Sequence, residues 1–265
     1  MPLYTDKTIK SRVAFGCSNK ADVMVIQQLL NAIPLRWGGP TTPLPVNGVC
    51  DAMMVEAIKG VQRRYFDSAD GAVDVNKWTL QILNEMNRHL TEKGRPPAAE
   101  HGGDVAPAVV RQTQASPMLC WATAMAMLQT WWYREHWTPE ETTNQAGDEY
   151  YDLFRAGDGL TDNKAFIKGF LENLDYVPLD SRLAANSPAG WRDILTTQPV
   201  AVMLRKSWGY HVRVAYGIKT DGTVYGTSVH IADPDGGREY WESFHKFARL
   251  YTASADMSGV RIWGY

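Results

Sequence analysis

The apolar stretch "QTQASPMLCWATAMAMLQTWW", residues 112–132, decides the fold of the second part of this chain. In a helical projection of residues 117–132, apolar side chains fall on every side. The strongly polar side chains in that span are only Thr123, Gln129 and Thr130. Because a helix that is apolar all round is buried all round, the stretch predicts the central helix of a larger domain.

The Ser116-Pro117 pair predicts where this helix begins, since Ser is a preferred N-cap and Pro a preferred first helical residue. Cys120 is then expected in the first turn. There, the positive end of the helix dipole and the free backbone N–H groups favour the thiolate, which is the nucleophilic form. The alternative is a packing role, because free Cys is among the most buried residue types. Position alone leaves both interpretations open.

The remainder of the second part changes from helical to extended patterns. Helical periodicity is found at residues 117–133, 139–155, 162–174 and 188–196. Strand-like runs follow, namely "PVAVML", "YHVRVAYGI" and "TVYGTSVHIA" at residues 199–204, 210–218 and 223–232. Helices first and strands afterwards predict an α+β domain.

A hairpin between the last two runs brings a candidate base close to a candidate carboxylate. His211 opens a strand directly after a loop, where a base can face a cleft. With a two-residue Asp-Gly turn at 221–222, His211 lies opposite Ala232 and Asp233 points to the other face. A bulge at Gly226 shifts the register by one and places Asp233 opposite His211. A carboxylate there would fix the imidazole tautomer and stabilise the imidazolium.

Four further residues near these groups are candidates for the site. Gln114 lies in the loop that enters the central helix, where its amide can join the Cys120 backbone N–H as an oxyanion donor. Alone, such a Gln is more often a solvent contact. The aromatic residues that flank the candidate nucleophile and base are expected to line a cleft, with core packing as the alternative; they are Trp121, Trp208 and Tyr210.

The pattern "Q-x-x-x-x-x-C-W-A", followed by "HVRVAYGI" and "VHIADPDGG", resembles the papain-like cysteine peptidases. The resemblance covers residues 108–250 and is closest to bacterial members that process bacteriocin leaders or act as secreted effectors. It implies a central helix packed on an antiparallel sheet. It also implies the roles of nucleophile, general base and acid, orienting carboxylate and oxyanion donor for Cys120, His211, Asp233 and Gln114, respectively.

The first part of the chain is predicted to be a small domain of three helices. Helical periodicity is found at residues 21–33, 51–66 and 74–90. The segments "DVMVIQQLLN" and "PVNGVCDAMMVEAIKGVQ" resemble the bacterial peptidoglycan-binding domain, which implies peptidoglycan as a partner. The alternative is a helical scaffold or docking domain without affinity for the cell wall.

A segment rich in Pro and Gly separates the two parts. Residues of this kind interrupt helices and strands alike. We therefore predict a helical domain over residues 1–90, a linker over 91–108 and a peptidase domain over 109–265.

Composition excludes several classes of protein. The chain has 27 Lys and Arg against 29 Asp and Glu, so it lacks the basic field that nonspecific nucleic-acid binding requires. Three cysteines in 265 residues do not make a disulfide framework, although a Cys17–Cys50 pair stays open. No apolar run reaches the about 20 residues of a membrane span or the length of a signal peptide. No metal-binding spacing occurs, and we expect neither a metal nor a cofactor.

Together these patterns predict a peptidase that hydrolyses amide bonds through a Cys-His-Asp triad. We expect a bacterial effector or toxin that acts on a protein or peptide in or near the cell envelope. It would be made in the cytoplasm without a signal peptide, exported by a specialised secretion system and neutralised by a cognate immunity protein. One alternative is a peptidoglycan amidase or endopeptidase that cleaves wall stem peptides. Another is a catalytically degenerate wall-binding or secretion-adaptor protein.

Overall fold

The computed structural model divides the chain into two compact units, Met1–Ala99 and Glu100–Tyr265. None of the helices that the structure describes has the length and apolar character of a membrane span. The described residues are 4–94, 101–105, 107–160, 163–179, 187–207, 209–253, 255–257 and 261–264.

The first unit contains the three predicted helices, α1 (Lys20–Ala32), α2 (Ala52–Tyr65) and α3 (Trp78–Lys93). The side chains of Asn19 and Asp51 cap α1 and α2 by accepting hydrogen bonds from backbone N–H groups in the first turn. Helix α1 packs against both other helices. The apolar faces that meet are fully buried and include Val23, Ile26, Leu30, Ile58, Val61, Leu83 and Met86.

Cys17 and Cys50, whose pairing the sequence left open, are free thiols. The Gly16 N–H donates to the Cys50 carbonyl at 3.1 Å, which brings the two chain segments together. Burial, and then the neighbouring Cys17 thiol, raises the pKa of Cys50 to about 11. The Cys50 thiol therefore stays protonated and weakly nucleophilic at neutral pH.

The second unit is built around helix α4, which spans Cys120–Tyr133 and is buried along almost its whole length. The predicted start of this helix is wrong. Leu119 occupies the N-cap position, and its N–H donates to the Ser116 carbonyl at 3.1 Å, so Pro117 lies in a turn that precedes the helix. The Ser116 hydroxyl donates instead to the Gly157 carbonyl at 3.4 Å and does not cap the helix.

Further helices and an antiparallel sheet complete the described part of this unit, and the predicted α+β fold is confirmed. The helices are α5 (Pro139–Ala146), α6 (Asp148–Ala156), α7 (Lys164–Asn173), α8 (Pro188–Leu195) and α9 (Phe244–Ala253). The strands are β1 (His101–Asp104), β2 (Val177–Pro178), β3 (Val200–Lys206), β4 (Gly209–Thr220), β5 (Ser228–Asp233), β6 (Arg238–Ser243) and β7 (Ile262–Gly264). Their order is β2-β7-β3-β4-β5-β6, and β1 pairs with β4.

Both faces of the central strands are covered, which explains why their sequences are continuous apolar runs. Ala201 and Met203 of β3 belong to the core formed with α4, whereas Val202 and Leu204 belong to the core formed with α8 and α9. Successive side chains of a strand point to opposite faces. The sheet therefore separates two apolar cores, and α4 packs on one of its faces.

The segment that we interpreted as a linker over residues 91–108 contributes a strand to the second unit. Strand β1 pairs with residues 217–220 of β4, and α3 extends to Lys93. A Cβ atom at Gly102 would lie 2.1 Å from the Ile218 carbonyl oxygen, so only glycine permits this close approach. Gly102, which we expected to interrupt secondary structure, thus allows β1 to pair with β4.

Candidate active site

Cys120 is the first residue of α4 and sits where the helix meets the start of β4. Its sulfur accepts a hydrogen bond from the Val212 N–H at 3.5 Å. The residue is 6% exposed. The first N–H groups of a helix have no intrahelical acceptor, so the thiol lies among free backbone donors. The sequence-based expectation of a cysteine in the first turn agrees with this position.

His211 and Asp233 form a direct, buried contact next to this cysteine. The His211 Nε2 and the Asp233 Oδ1 are 2.6 Å apart, and the two side chains are 4% and 6% exposed. Because Asp233 occupies Nε2, the other ring nitrogen, Nδ1, is the one available to the thiol. The structure thus brings Cys120, His211 and Asp233 together.

The loop that connects β4 to β5 differs from the predicted hairpin. It runs over residues 221–227 instead of forming a two-residue turn at 221–222. The Asp221 carboxylate accepts a hydrogen bond from the Thr223 N–H at 3.0 Å, which stabilises the longer loop. Gly226 lies inside the loop and forms no bulge. A Cβ atom there would lie 1.9 Å from the Asp221 Oδ2.

A bulge is nevertheless present, at Tyr216 in the middle of β4. Beyond it, Val214 lies opposite Ala232, so the next residue, Asp233, falls opposite position 213. His211 is then two positions away along β4 and lies on the same face as Asp233. Diagonal neighbours of this kind are within reach of long side chains. The predicted contact therefore exists, but its register is diagonal rather than directly opposite.

The electrostatics of this pair favour an imidazolium next to a carboxylate. Burial lowers the pKa of His211, but hydrogen bonds with Asp233 and Cys120, together with their charges, outweigh it and raise the pKa to about 9. Burial raises the pKa of Asp233, but the hydrogen bond to His211 and the charges of His211 and Arg213 lower it to about 2. The two groups stabilise each other in their charged forms between these values.

We expect the stability of the protein to decrease as the pH rises from about 6.5 to about 9. The pKa of His211 is higher in the folded state, about 9, than the ordinary value of 6.5. Its contribution is therefore complete below pH 6.5 and is lost as the pH passes the folded value. Denaturant titrations over this pH range measure the free energy of unfolding. The His211→Gln variant should lack the slope, and an equal slope in both proteins would contradict the assignment.

Gln114 is held near the site through its backbone. Its N–H donates to the carbonyl of Pro234, the residue after Asp233, at 3.0 Å. The loop of Gln114 thus runs beside the end of β5. The side-chain Oε1 is buried, and no group in the described part of the chain donates a hydrogen bond to it. The carboxamide end of Gln114 therefore reaches into the protein interior.

A cleft of about 120 Å³ opens beside the Cys120 sulfur and is largely apolar. Trp121 and Tyr210, two of the predicted aromatic residues, line it together with Leu160 and Met203. The third, Trp208, lies outside the described residues. The Tyr210 hydroxyl is hydrogen-bonded to Asp256, which fixes this ring at the rim of the cleft.

The sequence did not identify the groups behind Asp233. The Asp233 Oδ2 accepts a hydrogen bond from the Tyr240 hydroxyl at 3.0 Å, and Tyr240 in turn contacts the buried Arg213. A signal was present, because Arg213 is a charged residue in the otherwise apolar run "HVRVAYGI". A charged side chain on a strand that is buried on both faces requires a buried partner.

A cysteine at the start of a buried central helix, next to a His-Asp pair on an antiparallel sheet, is the arrangement of a papain-like cysteine peptidase. The chain belongs to the family described as papain-like cysteine protease AvrRpt2, whose model matches residues 101–252. It is therefore an enzyme, a hydrolase that acts on protein. The match begins after α3 and does not include the helical unit. No curated protein and no solved structure matches the chain.

Proposed function

We propose that this protein is a bacterial effector that cleaves a protein or peptide with Cys120 as the nucleophile. The observation that carries this proposal is the alignment of three buried groups, in which Asp233 contacts the His211 Nε2 and the other ring nitrogen is available to Cys120. Nucleophile, base and orienting group in this order are the requirements of covalent amide hydrolysis.

The proposed reaction has two steps. The Cys120 thiolate attacks the carbonyl carbon, and His211 gives its proton to the leaving amine, which departs and leaves a thioester. His211 then removes a proton from water, and the resulting hydroxide attacks the thioester. The acid product leaves, and the thiolate is restored next to the protonated imidazole. Asp233 remains ionised throughout and holds the ring in place.

Two donors are available for the oxyanion that forms in each step. One is the Cys120 backbone N–H, which lies at the N-terminus of α4 and has no intrahelical acceptor. The other is the side-chain N–H of Gln114, which belongs to the same carboxamide as the buried Oε1, in the loop beside the end of β5. Donors placed in advance of the reaction stabilise the developing charge without reorganisation.

The cleft beside Cys120 favours an apolar residue near the scissile bond. Its walls are formed by Trp121, Leu160, Met203 and Tyr210, and its small volume suits one side chain of a bound peptide. Burying an apolar side chain there contributes roughly 1.5–3 kcal/mol to binding. This chemistry supports a protein or peptide substrate over the stem peptide of peptidoglycan, whose residues are largely polar or small.

A role of the first unit in binding peptidoglycan is a second proposal, and it would place the enzyme at the envelope. It rests on the sequence resemblance and on a cleft of about 400 Å³ in this unit, lined by residues such as Leu35, Met53, Glu56 and Arg63. We also propose delivery by a specialised secretion system and a cognate immunity protein, on the basis of the combination of a wall-binding-like unit with a peptidase.

A peptide library and purified sacculi together test the choice of substrate. We expect the wild-type protein to cleave library peptides with an apolar residue next to the cleaved bond, because such a residue fills the cleft. Mass spectrometry identifies the cleaved bonds and also compares the muropeptides released from sacculi. The Cys120→Ala variant is the control. New muropeptides with the wild type alone, and an uncleaved library, would instead establish a wall hydrolase.

A further inference from the structure

On the side of Asp233 away from His211 lies a continuous series of hydrogen-bonded polar groups that the proposed reaction does not use; Arg213 and Glu242 are buried and Tyr240 is half-buried. The Tyr240 hydroxyl contacts the Asp233 Oδ2 at 3.0 Å, and the Arg213 Nη1 contacts the same hydroxyl at 2.6 Å. On its other side, the Arg213 Nη2 donates to the Glu242 Oε2 at 2.8 Å. The chain thus extends from His211 through Asp233, Tyr240 and Arg213 to Glu242.

The directions of these hydrogen bonds follow from the chemistry of the groups. The Arg213 guanidinium can only donate, so the Tyr240 oxygen accepts from it. The Asp233 carboxylate can only accept, so the single hydroxyl hydrogen of Tyr240 is directed at it. Burial raises the pKa of Tyr240, which keeps this hydrogen in place. Arg213 therefore polarises the Tyr240 hydroxyl, and the hydrogen of that hydroxyl binds the Asp233 carboxylate.

Three adjacent strands position the side chains of this hydrogen-bonded series. His211 and Arg213 lie two residues apart on β4, and Tyr240 and Glu242 lie two residues apart on β6. Strand β5 carries Asp233 between them. Side chains two residues apart on a strand share a face, so each strand presents its members to the others. The backbone of the sheet thus fixes the position of every member.

Stability is a weak explanation for this arrangement. The Arg213 and Glu242 side chains are 1% and 5% exposed. The loss of hydration of a buried ion pair often cancels its Coulombic attraction, and apolar side chains of the same size are often as stable. The location of the pair, one hydroxyl away from Asp233, connects it to the site instead.

We propose that Tyr240, supported by Arg213 and Glu242, is a positioning residue that holds the Asp233 carboxylate ionised and directed at His211. This inference rests on the proposed function. With Tyr240 in place, both Asp233 oxygens are engaged. Oδ1 accepts from His211 and from the Asp235 N–H, at 2.6 Å and 3.1 Å, and Oδ2 accepts from Tyr240. The carboxylate plane is then fixed, and the ring of His211 is fixed with it.

The Tyr240→Phe variant tests the proposal, because it removes one hydroxyl and keeps the ring. We expect kcat to decrease about tenfold, the effect of about one charged hydrogen bond, while KM is unchanged. We also expect the basic limb of the kcat/KM profile to move to lower pH, since a less constrained carboxylate supports the imidazolium less well. A role in folding alone would leave both kcat and the pH profile unchanged.

Tyr216→Phe is the matched control. It makes the same change on β4, and its hydroxyl contacts His230 and Glu239, at 3.0 Å and 3.3 Å, instead of Asp233. We expect it to keep the wild-type kcat and pH profile. Thermal unfolding of both variants, with assays below both transitions, separates loss of fold from loss of positioning.

The pH dependence of Cys120 alkylation by chloroacetamide distinguishes failure of this inference from failure of the proposed function. We expect Cys120 to be alkylated faster in the wild type than in His211→Gln, and the pH profile to be altered by Tyr240→Phe. Equal rates in the wild type and His211→Gln would overturn the proposed function and this inference together. If Cys120 is activated in the wild type, but the alkylation profile and kcat of Tyr240→Phe equal those of the wild type, this inference alone is overturned.

Discussion

We expect Cys120→Ala to decrease kcat for amide hydrolysis by a factor on the order of 10⁶. This is the loss found when the nucleophile of a comparable catalytic triad is removed. The sulfur is the atom that forms the thioester, and the sequence of the second unit, residues 100–265, contains no other cysteine. Cleavage of a library-derived peptide by both proteins measures the effect. Alanine removes one atom from a buried site, so the fold should persist.

Covalent labelling provides the control for this result. A papain-type epoxide inhibitor should modify Cys120 and spare Cys17 and Cys50, because Cys120 is aligned with the His211 imidazole. Cys17→Ala is the matched variant, since Cys17 is the more exposed of the other two thiols. It should retain both labelling and hydrolysis. Hydrolysis that survives Cys120→Ala would show that another group is the nucleophile.

His211→Ala should decrease kcat by about 10⁴ or more, because the same imidazole gives a proton to the leaving amine and later removes one from water. The change also removes the partner of the buried Asp233 carboxylate, which lies 2.6 Å from the ring. Unfolding temperatures must therefore be measured beside the rates. His211→Gln keeps a donor for Asp233 and separates the loss of the base from the loss of stability.

His230→Ala is the matched control for this prediction. His230 lies on β5 and contacts Asp104 at 2.8 Å, so it is also an imidazole paired with a carboxylate. It stacks against Trp241 and takes no part in the contacts of Cys120. We expect near wild-type rates for this variant. Equal losses of activity in both histidine variants would mean that the effect reflects disruption of the sheet.

The sequence contained enough information for the layers of the fold and for the pair His211 and Asp233. An apolar helix and continuous apolar strands have few ways to bury themselves, so periodicity predicted the α+β domain. The length of the loop between β4 and β5 could not be predicted in this way. An Asp-Gly pair favours a two-residue hairpin, but the Asp221 side chain holds Thr223 and thereby stabilises a longer loop. Such choices depend on side-chain contacts that are not visible in a pattern.

The start of α4 shows a similar limit. Ser116-Pro117 is a favourable helix start, yet the Ser116 hydroxyl contacts the Gly157 carbonyl at 3.4 Å, far along the chain. The hydroxyl that we expected to cap the helix is therefore bonded to a residue distant in the sequence. The contacts of Arg213 with Tyr240 and Glu242 likewise join residues 27 and 29 positions apart. Arg213 was a visible anomaly in an apolar strand, but its partners depended on the strand order.

The pairing of β1 with β4 determines which pieces of this chain can stand alone. Residues 217–220 of β4 have hydrogen-bonding groups that β1 satisfies. A fragment that starts at residue 109 would uncover that stretch and leave its amide and carbonyl groups open to a second molecule. We therefore expect that the shortest fragment that folds as the protease begins no later than His101. This residue lies inside residues 91–108, the segment whose composition suggests a linker that could be removed.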